Sequence, residues 1–157
     1  MELIVAALAE RFKHVHRVLR EEIIGLTVEQ LAYVPAPGAN SLAVLVTHTL
    51  GSEAQAWALV SGRDTSRDRL SEFTNPATMP DDLLARLDRA DRLIDEIAPT
   101  IDATALATEF TRESDGATRT GAHWLIHNFG HASEHVAHVQ LTKQLLPDHY
   151  PPPARPW

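Results

Sequence analysis

The sequence of 157 residues contains no cysteine. A disulfide framework, a thiolate metal site and a cysteine nucleophile are all excluded, so any thiol chemistry must bring its thiol from outside. Lysine is nearly missing as well, with two lysines against twelve arginines. Acidic residues outnumber basic ones by 21 to 14, giving a formal net charge of −7. The basic footprint that holds non-specific nucleic acid is therefore lacking, and no nucleic-acid partner is expected. Long apolar runs are absent too. The opening stretch "MELIVAALAERFKHVHRVLR" is interrupted by Glu2, Glu10 and Arg11 and has neither the basic start nor the apolar stretch of a signal peptide. No segment approaches the ~20 apolar residues of a membrane span. The expectation is a cytoplasmic protein with no membrane partner.

What is present is ordinary for a globular chain: 44% hydrophobic and 22% charged residues, in a length that suits one domain. Residues 2–24 have helical spacing, with Leu3, Ala6, Ala7, Phe12, Val15, Leu19 and Ile23 on one side and Gly25 as the stop. "TVEQ", from Thr27 to Gln30, fits a capping box and predicts a short helix. After the loop "PAPGAN", Asn40 or Ser41 caps a helix over about 41–61. Residues 63–78 are polar and aperiodic and read as a loop. Pro80, Asp81 and Asp82 open a helix that runs to about 98. "ATALATEF" suits a helical turn, and the Asp115-Gly116 pair suits a small hairpin. Thr120 caps the last helix, 121–146, which Pro147 stops. Four long helices predict an all-α four-helix bundle over 1–147, followed by a Pro-rich tail, 148–157.

Five of the nine histidines crowd into "GAHWLIHNFGHASEHVAHVQ": His123, His127, His131, His135 and His138. Helical spacing turns this cluster into a stripe. With Leu125, Phe129, Val136 and Val139 marking the apolar side, His131 and His135 fall nearest the bundle interior and the other three nearer the rim. Two imidazoles at i and i+4 can converge on one metal ion, and a catalytic zinc site takes three protein ligands and leaves one position open. His48 sits mid-helix among Leu45, Val46 and Leu50, where a polar ring needs a partner. That partner is either a metal shared with His131 and His135 or a plain hydrogen bond. A frame built on His127 and His131 competes with the one built on His131 and His135.

These features resemble the DinB/YfiT-like superfamily of metal-dependent four-helix bundles, over nearly the whole chain. The run "LREEIIGLTVEQLAYVPAPGANSLAVLVTHTLGSEAQAWALVSGR" is similar to the family's passage from its first helix into its second. There an Asn-Ser pair is followed within two turns by a metal-binding histidine. "GHASEHVAHVQL" is similar to the family's last-helix motif, His-x-x-x-His-x-Gly-Gln/His. Ala137 departs from it where the family often has Gly, and His138 stands at the Gln/His position. The resemblance implies His48, His131 and His135 as metal ligands and zinc or nickel as the ion. It further implies an up-down-down-up helix order, a long crossover between the second and third helices, and a homodimer. Its characterised members transfer or use low-molecular-weight thiols such as glutathione, bacillithiol or mycothiol, while many others have no known activity, so it also implies a thiol transferase or isomerase acting on an electrophilic small molecule.

A thiol at the open metal position would lose its proton near neutral pH and could attack such an electrophile. His127 and His138 are the catalytic candidates, as proton shuttle or as partners behind the ligands. Glu53 reads as a solvated helix residue that could instead orient a ligand. Trp57 and Trp124 read as core aromatics with a pocket role as the alternative. His14 and His16 read as surface residues. Arg63, Arg67 and Arg69 read as a solvated loop that could hold an anionic thiol. Two other functions stay open: a non-catalytic metal-binding bundle in stress response, and a metal-dependent hydrolase. The carboxylate set of a di-iron bundle is missing, since Glu134 and His138 stand alone at that spacing.

Overall fold

A computed structural model describes residues 1–64 and 67–147. The Pro-rich tail lies outside the described residues. Helix α1, Leu3–Ile23, buries Val5, Leu8, Phe12, Val15, Leu19 and Ile23 along one stripe. Helix α2, Val28–Ala32, opens on the capping box expected at Thr27 and Gln30. Helix α3, Leu42–Val60, begins where the Ser41 hydroxyl accepts from the Val44 N–H. Every residue of α3 from Leu42 to Leu50 is buried, so the first half of this helix is the axis of the bundle. Phe12 meets Trp57 and Phe129 edge-on, each at 5.6 Å between ring centres, and this aromatic group ties α1 to α3 and to the last helix.

The stretch expected to be a loop, 63–78, contains helix α4, Arg69–Thr74, capped by the Asp68 carboxylate on the Ser71 N–H. Six residues are too few for a periodic apolar pattern to show. Helix α5, Pro80–Ile97, has Pro80 in its first turn with Asp81 and Asp82 beside it, and a 3₁₀ turn over Ala98–Thr100 follows. Helix α6, Ala103–Ala107, is capped by Asp102. Strands β1, Glu109–Thr111, and β2, Thr118–Thr120, then pair antiparallel, with Glu109 opposite Thr120. Gly116 takes φ +68° in the turn, a conformation that glycine adopts without strain. Thr120 caps helix α7, Gly121–Gln144, as its hydroxyl accepts from the His123 N–H.

Side-chain pairs fix the helix directions. On α1 and α3, Phe12 meets Trp57 and His16 meets Glu53, so the numbers run in opposite senses. On α1 and α5, Arg20 meets Asp88 and His16 meets Asp91, again in opposite senses. On α1 and α7, Phe12 meets Phe129 while Glu22 meets Gln140 and Lys143, so these two run parallel. Arg63, just past the end of α3, reaches Glu96 in the last turn of α5. The order is up-down-down-up, as expected. Because α3 and α5 run the same way, the chain between them must travel the length of the bundle, and this return carries α4. Helices α3 and α1 each pack against both α5 and α7. Among the described residues no helix is long and apolar enough to cross a membrane.

Candidate metal centre

His48 sits on the second turn of α3, buried, and His131 and His135 sit half-buried on the facing side of α7. The three ring centres lie 4.4–5.2 Å from one another. One ligand atom from each comes within 4.8 Å of the other two, the only such set of His, Asp or Glu among the described residues. His127, the member of the competing frame, is exposed and stacks on His123 at 5.9 Å. His138 is exposed too, with Nδ1 3.4 Å from Nδ1 of His135.

The carboxylate behind the site comes from α4. His48 Nδ1 donates to Glu72 Oε2 at 2.8 Å, so Nε2 is the ring nitrogen left to bind an ion. Arg67 donates to both oxygens of the same carboxylate, from Nε at 2.6 Å and from Nη2 at 2.7 Å, and from Nη1 to Gln55 at 3.0 Å. Burial alone would raise the Glu72 carboxyl, but Arg67 and His48 outweigh it and hold it below its ordinary value. Glu72 thus stays ionised, fixes the His48 tautomer and orients the ring. Gly51 on α3 leaves room for the Glu72 carboxylate, which an added Cβ would displace.

The donor set fits a cation. Burial and the neighbouring imidazoles push His131 down to about 4, and burial and His48 push His135 to about 4 as well. Both rings are neutral at pH 7 and offer lone pairs. Their Nε2 atoms are 3.0 Å apart, so without an ion one must carry a proton and donate to the other. His131 Nδ1 is buried and has no partner among the described residues. Three converging imidazoles, two of them neutral and the third backed by a carboxylate, make a divalent-metal donor set.

A cavity of about 430 Å³ opens beside His48 and His131. Trp124 forms part of its wall, and its Nε1 donates to the Phe110 carbonyl at 3.0 Å, which pins the hairpin to α7. Asn128 donates to the Ser52 carbonyl and hydroxyl and ties α7 to α3 at the same level. His127 also lines the cavity.

Both tryptophans are buried in the core, as expected, and Trp124 also lines the cavity. Three expectations need correction. Arg67 is not a solvated loop residue; it is the clamp on Glu72. Glu53 is buried, 2% exposed, and does not serve the metal centre, because it accepts from His16 Nε2 at 2.8 Å on another face of α3. His16 is fully buried rather than on the surface, and its Nδ1 meets Asp91 at 2.7 Å. Burial would lower the His16 pKa, but Glu53 and Asp91 outweigh it and raise it, while burial raises the Glu53 carboxyl against the pull of His16. His14, as expected, is exposed.

A family model described as the DinB superfamily matches residues 11–139, which include all three clustered histidines. The chain belongs to the DinB superfamily. Two solved structures share this DinB bundle. A conserved protein from Enterococcus faecalis superposes with a TM-score of 0.76 at 15% identity, covering 93% of this chain and 98% of its own. YfiT from Bacillus subtilis, described as a probable metal-dependent hydrolase with an unusual four-helix bundle topology, superposes with a TM-score of 0.72 at 15% identity. It covers 92% of this chain and 89% of its own. At that identity the likeness is one of fold. No curated protein matches the sequence significantly.

Proposed function

We propose that this DinB chain is a divalent-metal-dependent enzyme that joins an external low-molecular-weight thiol to an electrophilic small molecule, with His48, His131 and His135 holding the ion. The observation that carries this reading is the convergence of three imidazoles beside a cavity of small-molecule size. Zinc and nickel both suit an imidazole donor set. The ion would supply a Lewis acid that favours a deprotonated thiol at neutral pH. The chain's own residues do the rest. Glu72 and Arg67 hold His48 in one tautomer, His131 and His135 stay neutral, and the hairpin and α4 wall the cavity.

A thiol is favoured over water for a physical reason. Water begins about seven pK units further from neutrality than a thiol and needs more help to lose its proton. The nearby carboxylates are engaged: Glu72 by Arg67 and His48, and Asp115 by Arg112. The description of YfiT as a metal-dependent hydrolase supports a second reading, in which water replaces the thiol and His127 on the cavity wall takes its proton.

Metal content by mass spectrometry on the wild type, His48→Ala and His135→Ala is the first test. About one ion per chain in the wild type and loss from both variants is the expected result. A wild type that stays metal-free after reconstitution with zinc and with nickel would sink the proposal. On the loaded protein, consumption of glutathione, bacillithiol or mycothiol with an aryl halide supports the thiol reading. Ester or amide hydrolysis without any thiol replaces it with the hydrolase, and metal without turnover replaces it with a binding bundle.

A further inference from the structure

The cavity beside His48 and His131 carries more positive charge than a metal centre requires. Three guanidiniums line it, those of Arg67, Arg69 and Arg112, and two carboxylates answer them, Glu72 on Arg67 and Asp115 on Arg112. This surplus stands in a chain whose net charge is −7, so it runs against the average of the surface.

The three arginines are not equivalent. Arg67 spends its donors on Glu72 and Gln55 and belongs to the histidine support. Arg112 is held in place by the hairpin. It donates to both oxygens of Asp115 and lies 4.6 Å over the Trp124 ring, and its Nη1 donates to nothing among the described residues. A guanidinium fixed this way loses little freedom on binding an anion. Arg69 stands on α4, 5.1 Å over the Phe73 ring, with no ion pair among the described residues. Ala56 and Leu59 give the same cavity an apolar wall.

We infer that this cavity binds a small organic anion, with one or two carboxylates held by Arg69 and Arg112, its apolar body against Ala56 and Leu59, and its reactive end toward His48 and His131. The inference rests on the proposed metal centre only for the direction of that reactive end. The charge selection belongs to the arginines and operates with or without an ion. Arg69 and Arg112 act as positioning residues that choose which molecules reach the histidines.

The test is calorimetry with three anionic probes, S-methylglutathione, N-acetylglutamate and malate, each paired with its neutral amide. S-methylglutathione has no free thiol, so its binding does not depend on a thiolate. The expected result is that at least one anion binds about tenfold more tightly than its amide, the worth of one charge-assisted hydrogen bond. The preference should fall to near unity in the Arg69→Gln, Arg112→Gln double variant. In Asp115→Asn, which removes the competing carboxylate from an exposed pair, anion binding should tighten about threefold. Both arginines lie outside the buried core, and circular dichroism checks that the variants keep their helices. Running the series on metal-loaded and chelator-treated protein separates this inference from the one before it. Anion preference in a protein that never takes up metal removes the metal centre and leaves the anion site. Metal uptake without anion preference in any of the three pairs, or a preference that survives the double variant, overturns the anion site.

Discussion

At the scale of single residues, the histidines differ by what stands behind them. His48 has a carboxylate, Glu72, that is itself clamped, so Glu72→Gln leaves the ring in place but weakens its orientation. Metal affinity should drop about ten- to a hundredfold, as competition with a chelator would show. Gly51→Ala should reach the same end by another route, since its Cβ would push Glu72 away. The depressed pKa of about 4 at His131 and His135 has a signed consequence. Protons compete for these two ligands only near their folded values, well below the ordinary 6.5. Metal content measured against pH should therefore hold through pH 6, where an ordinary imidazole set is already largely protonated. The histidine pattern of α7 was legible from spacing alone, because Leu125 and Val139 mark the inward face. His16 and Glu53 were not legible. Each looks like a solvated helix residue until its partner arrives from another helix. His16→Ala would leave Glu53 buried without a partner and should cost about 3 kcal/mol in a urea melt.

At the scale of elements, the crossover is where sequence reading stopped short. The boundaries of α1, α3, α5 and α7 follow from Gly, Pro and hydroxyl caps, and the Asp115-Gly116 turn announced its hairpin. Helix α4 gave only a faint sign, Asp68 three residues before Ser71 and an apolar pair at Leu70 and Phe73. Its importance comes from position: it delivers Glu72 and Phe73 to His48, the latter at 4.9 Å between ring centres. Asp68→Ala removes the α4 cap, worth about 1 kcal/mol. Because α4 lies outside the four main helices, this change should weaken metal affinity several-fold while the thermal midpoint moves by only a few degrees. Equal losses in both would show that α4 is part of the core rather than an arm for the site.

At the scale of the whole molecule, the up-down-down-up order sets where the site lies. Antiparallel α3 and α7 bring a residue near the start of one helix against the middle of the other, and the long return between α3 and α5 supplies the outer wall. A ligand that binds only the folded chain stabilises it by mass action. At a hundredfold excess over Kd, metal should add about 2.7 kcal/mol, a rise of roughly 5–10 °C in Tm for a domain of this size, by scanning calorimetry with and without chelator.

The division of the histidines between α3 and α7 also has a meaning in time. His48 lies on α3, but its two companions lie on the last helix of the chain, so the three donors meet only when α7 has docked on α3. An ion offered to refolding protein would be captured no faster than that docking. Its uptake would serve as a clock for the meeting of these two helices, separate from the signal of helix formation.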